Sequence, residues 1–232
     1  MALNLSRGVL VVESEGGIRL SDVRKFLVEI EDAYNRVLLL LTLLEDLSRL
    51  EWAPGTSLSR RLRFAEYGPL AVLADGQSKP THFTKSSVAS MVGRSQSLIL
   101  RSVRLESPGS WNFLGVSDSL EILRKFLKDR HERRKDKQYR EVTEEEKRHL
   151  ENELLRTQVL GEKIKVAKEL GATEQDLAPL LGQLLYDPLD ELAVFQDRGL
   201  IADVKLVGRD ELDEPETPPS IDLFPKRNIR LE

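Results

Sequence analysis

The chain has 232 residues, of which 40% are hydrophobic and 32% charged, so it can form one large or two small domains around a buried core. Its net charge of −4 excludes a global electric field that attracts nucleic acid and leaves only local binding. The absence of cysteine excludes disulfides, thiolate nucleophiles and cysteine zinc sites, and it fits a cytoplasmic protein.

A short hairpin and a long helix are the first predicted elements. Two short runs, residues 8–13 and 18–20, flank Gly16-Gly17 and predict a β-hairpin. Apolar residues at spacings of three and four predict a helix over 21–50, apolar nearly all round in its second half and therefore buried. Its apolar run at 37–44 is far shorter than the roughly 20 residues of a membrane span, and the N-terminus lacks the pattern of a signal peptide.

A loop region and a second hairpin follow. Residues 56–96 contain several glycine and proline turn pairs and are predicted to be mostly loop, with a short helix at 86–93. The alternating run 97–106, the turn Ser107-Pro108-Gly109-Ser110 and the run 111–116 predict a β-hairpin. Simple alternation places Leu100 and Val103 on opposite faces of its first strand.

The next segment is rich in charge and lacks helix breakers. Residues 117–160 contain neither glycine nor proline, and Asp118 with Glu121 resembles a helix capping pair. A continuous helix over 118–170 would be about 75 Å long at 1.5 Å per residue. Thr143 with Glu146 forms a second capping pair, where the helix could instead break and fold back.

These elements predict an α+β fold: a small antiparallel sheet of two hairpins packed on a long buried helix, then a long charged helix and an α-helical C-terminal part. Short helices are predicted over 174–186 and 189–196, and either a strand or an extended run over 200–207. The predicted organisation is an α+β domain at 1–117, helices at 118–200 and an extended, partly disordered acidic tail at 201–232.

The leading functional hypothesis is a non-enzymatic assembly or adaptor protein, such as a subunit of a larger bacterial complex. It would form homo-oligomers through the long helix in the manner of a coiled coil, or bind a partner protein. The apolar positions after the charged segment form the predicted interface between copies: Leu150, Leu154, Leu160, Ile164 and Ala167.

A basic segment supports the alternative of nucleic-acid or polyanion binding, because clustered lysines and arginines can hold phosphates. A solvated helix face with internal ion pairs explains the same composition and is the more common case. The candidate contacts are Arg124, Lys128, Arg130, Arg133, Arg134, Lys135, Lys137 and Arg140.

Catalytic motifs give little support to an enzyme. The sequence from His131 begins like the zinc-protease motif H-E-x-x-H, but Lys135 replaces the second histidine. The chain has neither a G-x-S-x-G nucleophile elbow nor a glycine-rich phosphate loop. We therefore predict no catalytic residue, no cofactor and no metal. A further alternative is that the protein is an enzyme whose active site lies in the 56–96 region, around His82.

Overall fold

The computed structural model describes residues 6–14, 19–49, 83–104, 108–135, 158–170 and 172–208. In chain order the elements are β1 (Arg7–Ser14), α1 (Leu20–Arg49), α2 (Lys85–Met91), β2 (Ile99–Arg104), β3 (Gly109–Val116), α3 (Ser117–Lys135), α4 (Gln158–Glu169), α5 (Glu174–Leu181), α6 (Asp187–Asp197) and β4 (Asp203–Gly208). The predicted α+β class is confirmed. Among the described helices, none has the length and apolar character needed to cross a membrane.

The four strands form one antiparallel sheet in the order β2-β3-β1-β4. The predicted hairpin of β2 and β3 is confirmed. The predicted N-terminal hairpin is wrong, because Leu20 already belongs to α1 and β1 pairs with β3 and β4 instead. β1 is an inner strand, and its run of valines and leucine provides apolar side chains to both faces.

A β-bulge changes the sidedness of β2. Leu100 lies opposite Phe113 and Val103 lies opposite Trp111, with the register shifting between Leu100 and Ser102. Since Trp111 and Phe113 share one face of β3, Leu100 and Val103 share the corresponding face of β2. The prediction that they lie on opposite faces is therefore wrong, because the extra residue at the bulge interrupts the simple alternation.

Helices cover one face of the sheet, and α1 forms the centre of the core. Phe26 of α1 contacts the sheet through Trp111, at a ring-centroid distance of 5.4 Å, and Phe113, at 6.2 Å. It also contacts Phe195 of α6 at 5.8 Å. These edge-on and tilted contacts combine large apolar areas with favourable ring geometry. They fix α1 between the sheet and the C-terminal helices.

Tyr34 connects α1 to the edge of the sheet near β2. Its hydroxyl donates to the Gln96 carbonyl at 2.7 Å and accepts from the Val116 amide at 2.8 Å. Burial raises the pKa of Tyr34 above its ordinary value of 10.0, outweighing the opposite effects of the Val116 hydrogen bond and of Arg7. The ring lies against Gly115, where a Cβ atom would come within 2.8 Å of it. The lack of a side chain at Gly115 therefore permits this close approach.

The C-terminal helices share a hydrophobic core with the sheet and α1. The division into domains predicted between residues 117 and 118 stays a prediction. α5 and α6 form one helical run, joined by a π-helical turn at Gly182–Tyr186. Pro188 does not end this run, because it lies in the first turn of α6, where a missing amide hydrogen is tolerated.

Several predictions fall outside the described residues. The described part of the charged helix is α3, and the helical backbone is described again from Gln158. The continuity of the 118–170 helix, including the alternative break at Thr143, falls in the intervening segment. The acidic tail from residue 209 and most of the 56–96 region also lie outside the described residues, whereas the short helix predicted at 86–93 is present as α2.

Candidate functional site

A cluster of charged side chains lies where α1, α2 and α6 meet. Lys85 of α2 bonds the Glu29 carboxylate of α1, and its Nζ lies 3.4 Å from Oε2 of Glu191 on α6. Asp32, one helical turn after Glu29, completes a group of three carboxylates whose oxygens lie within 4.8 Å of one another. The cluster therefore links three helices that are far apart in the sequence.

The buried side of this cluster is held by Arg36. Its Nε lies 2.8 Å from Oδ2 of Asp32, and its Nη1 donates to the Gln183 carbonyl at 2.9 Å. Gln183 lies in the π-helical turn, and its side-chain oxygen accepts from the Phe83 amide at 3.1 Å. The wide turn thus supplies hydrogen-bond acceptors to both α1 and the segment leading into α2.

The proximity of two carboxyl groups separates their pKa values. The hydrogen bond with Glu29 raises the pKa of Glu191 above 4.5, and burial adds to this rise. Burial also acts to raise the pKa of Glu29, but hydrogen bonds from Glu191 and Lys85 outweigh it, so the pKa falls below 4.5. Burial acts to lower the pKa of Lys85, but the hydrogen bond to Glu29 raises it. The net effect is a pKa above the ordinary value of 10.5.

Three carboxylates could offer oxygen ligands to a divalent cation. In this cluster, however, the Lys85 ammonium group already contacts Glu29 and Glu191, and the Arg36 guanidinium group contacts Asp32. Two cationic side chains of the same chain thus already contact all three carboxylates and offset two of their three charges. We assign this cluster the structural role of joining α2 and the π-helical turn to α1.

The edge of the sheet at β2 is a second candidate site. Every residue of β2 is exposed, including Ile99 (43%), Leu100 (41%) and Val103 (40%). Within the described part of the chain, β2 pairs with β3 alone. An edge strand presents backbone donors and acceptors that can pair with another polypeptide. Apolar side chains beside such an edge can contribute contact area.

The predicted polyanion contacts are partly engaged within the chain. Nε of Arg124 donates to Glu121 at 2.7 Å, and Nη2 of Arg130 donates to Asp197 at 2.9 Å. Lys128 is an exposed residue of α3. Of the other candidates, Arg133, Arg134 and Lys135 are described only as part of the α3 backbone, and Lys137 and Arg140 lie outside the described residues.

The residues predicted to contact a second copy lie partly in the core. Leu160, Ile164 and Ala167 are buried on α4 within the same hydrophobic core as α1. Leu150 and Leu154 lie outside the described residues, as does His82 of the enzyme alternative. For the three buried positions, the apolar face of α4 packs within its own chain.

Sequence reasoning missed both candidate sites. The spacing of Glu29, Asp32 and Arg36 indicates a shared helical face, which could have been recognised. No local pattern joins them to Lys85 and Glu191. The edge position of β2 likewise depends on strand order, which its sequence does not contain.

Comparison of the chain with models of known protein families, with curated proteins and with solved structures finds no match.

Proposed function

We propose that this chain is a non-enzymatic adaptor or assembly protein that binds another polypeptide along the β2 edge. The observation that carries the proposal is the concentration of exposed apolar side chains on this strand. Of the six exposed large hydrophobic residues in the described part of the chain, three lie in β2. A strand that pairs with β2 would cover these side chains and extend the sheet.

The location of the contact differs from the one expected from the sequence. A second copy that met Leu160, Ile164 and Ala167 would have to displace contacts within the core. Contact at β2 requires no such rearrangement, because its side chains are already exposed. We therefore favour β2 over α4 as the surface for a partner.

The two alternatives receive less support from the described contacts. Polyanion binding would compete with the ion pairs of Arg124 with Glu121 and of Arg130 with Asp197. An enzyme would need a reactive group with a defined base or electrophile. The described charged cluster instead pairs its acids with Lys85 and Arg36.

A peptide display experiment tests the proposed function. A random peptide library would be selected on the full chain, and the enriched peptides measured by fluorescence anisotropy against wild type and Val103→Lys. Val28→Lys is the matched control, since Val28 is 48% exposed and belongs to α1 rather than to a strand. We expect a roughly tenfold or larger loss of affinity for Val103→Lys and little change for Val28→Lys.

Two results would contradict this function. The first is a selection that yields no peptide with measurable affinity for the folded chain. The second is a set of peptides that bind wild type, Val103→Lys and Val28→Lys equally well, because their contact would then lie elsewhere. Circular dichroism of each variant would establish that the fold is retained before binding is compared.

A further inference from the structure

The tail of the chain, residues 209–232, follows β4 and lies outside the described residues. We infer that residues 221–224 of this tail dock on the β2 edge of the same chain and compete there with the partner polypeptide. This inference rests on the proposed function, because it names what regulates the same edge. It follows from the pattern of apolar side chains on β2, from the same pattern in the tail and from the length of chain that joins the tail to β4.

The exposed apolar side chains of β2 occupy both faces of the strand. Leu100 and Val103 lie on the face of the sheet that the helices cover, whereas Ile99 lies on the other face, opposite Leu114. The cross-strand neighbours of exposed apolar residues stabilise a sheet best when they are apolar too. A segment that covers this edge therefore needs two apolar residues on one of its faces and one on the other.

The tail contains a segment with this pattern. Residues 221–224 read Ile-Asp-Leu-Phe, so in an extended conformation Ile221 and Leu223 share one face and Phe224 lies on the other. An antiparallel pairing with the register that β3 uses would bring three apolar pairs together: Ile221 with Val103, Leu223 with Leu100 and Phe224 with Ile99. All three exposed apolar residues of β2 would then be covered.

Prolines limit this segment to a length that fits β2. Pro219 precedes the segment and Pro225 follows it. Because proline has no amide hydrogen to donate, it is confined to the ends and edges of sheets. The five residues between the two prolines can therefore pair as a short edge strand, and β2 itself has six residues.

The tail is long enough to reach this edge. β4 ends at Gly208, and a strand beside β2 would lie four strand spacings away, or about 19 Å. Val103 aligns through β3 and β1 with Val204, four residues from Gly208 along the strand direction, which adds about 13 Å in that direction. The direct distance is therefore about 23 Å, whereas residues 209–220 can extend over about 40 Å. Since the tail is covalently attached, its effective concentration at β2 exceeds that of a second chain in dilute solution.

Engineered cysteines test the docking in a chain that has no cysteine of its own. Val103→Cys and Ile221→Cys would be combined in the full chain and oxidised under mild conditions, because directly opposite residues on neighbouring strands are close enough to form a disulfide. The matched control combines Val103→Cys with Leu231→Cys, which lies in the same tail but outside the segment. We expect the disulfide of the first pair to form about tenfold faster and to close within one chain.

A substitution in the tail tests the competition with a partner. Leu223→Asp would place a charge beside Leu100 and should release the edge. Peptides selected on the full chain should then bind about fivefold more tightly, because a larger fraction of the chains has a free β2 edge. Leu231→Asp makes the same change elsewhere in the tail and should leave the affinity unchanged. Hydrogen exchange of the β2 amides should show protection in wild type and in Leu231→Asp, and less protection in Leu223→Asp.

The failure of this inference can be told apart from the failure of the proposed function. Equal rates of disulfide formation at positions 221 and 231, with peptides that bind wild type and Leu223→Asp equally, would overturn the inference and leave the proposed function intact. Fast disulfide formation at position 221, with no peptide selected on either wild type or Leu223→Asp, would support the docking of the tail and contradict the proposed function.

Two other results would overturn the inference by identifying a different occupant. A disulfide that joins two chains instead of closing one would place the tail of a second copy at β2. Loss of β2 amide protection in Leu73→Asp, but not in Leu223→Asp, would assign the edge to the apolar run at residues 70–74, which also lies outside the described residues. Circular dichroism of each variant would establish that the fold is retained.

Discussion

Nζ of Lys163 lies 2.8 Å from Oε2 of Glu45, and the two side chains are only 8% and 3% exposed. This ion pair joins α4 to the C-terminal part of α1, across a core of leucines. Removal of charged groups from water is unfavourable, and the pair compensates for it only while both partners are present. The pair therefore fixes how α4 lies against α1.

Lys163→Met should lower the free energy of unfolding by about 3 kcal/mol, because the Glu45 carboxylate loses this buried cationic partner. The double variant Lys163→Met with Glu45→Leu should recover most of the loss, since it buries no unpaired charge. Urea unfolding measures both. The control is Lys165→Met, because Lys165 forms an exposed pair with Glu169 and should contribute little. Equal losses at Lys163 and Lys165 would exclude a special role for the buried pair.

Gly115→Ala should destabilise the fold by about 2 kcal/mol, because its Cβ would lie 2.8 Å from the Tyr34 ring. The ring cannot move away freely, since its hydroxyl bonds Gln96 and Val116. Gly182→Ala is the matched control, because a Cβ there meets no atom within 4 Å. In a helical backbone this change should leave stability unchanged or raise it by up to about 1 kcal/mol. Thermal unfolding of the two variants would reveal the difference, and a similar response would contradict the close packing at Gly115.

The carboxyl pair of Glu29 and Glu191 should give a specific pH dependence. Because the pKa of Glu191 is raised in the folded state, this group adds stability below pH 4.5. That stability is lost as the pH rises through the pKa that Glu191 has in the folded chain. The lowered pKa of Glu29 acts in the opposite sense, adding stability that is lost as pH falls through its folded value. The Glu191→Gln variant keeps an uncharged hydrogen-bond donor at every pH, so it does not lose this stability as the pH rises. The melting temperature of the variant relative to that of wild type should therefore increase between about pH 4 and about pH 7. Glu31→Gln, an exposed change on the same helix, is the control. A difference that does not change with pH would show that the two carboxyl groups do not interact.

Leu160→Ala distinguishes a core position from an interface between copies. Leu160 is buried within the core of one chain, so truncation should lower the free energy of unfolding by about 2–5 kcal/mol. This loss should not depend on protein concentration. If Leu160 instead joined two chains, the melting temperature of wild type would rise with concentration and that of the variant would not. Thermal scans over a wide concentration range separate these cases.

Local patterns predicted most of the regular elements. The three- and four-residue spacing of apolar side chains identified α1, whose observed ends, Leu20 and Arg49, lie next to the predicted limits of 21 and 50. The proline and glycine of the turn before β3 identified the hairpin of β2 and β3. Such features depend on neighbouring residues, so the sequence contains them directly.

Long-range features were predicted less well. β4 was predicted as either a strand or an extended run, and its partner was not predicted, because its pairing with β1 joins strands from the two ends of the described chain. The apolar face of α4 was assigned to another copy, since the spacing of Leu160 and Ile164 shows that a face is apolar but not what covers it. The cluster of Glu29, Lys85 and Glu191 could not be predicted, because its members come from three separate helices.

The sequence by itself determined the α+β class, the long buried helix, the basic character of the segment from Arg124 and the absence of thiol chemistry. Each of these follows from composition or from contacts between near neighbours. The tertiary structure decided that Leu160 packs within its own chain and that β2 forms an edge. Strand order, the bulge in β2 and the packing of distant helices depend on many contacts at once, so no local pattern could determine which surfaces are buried and which can meet a partner.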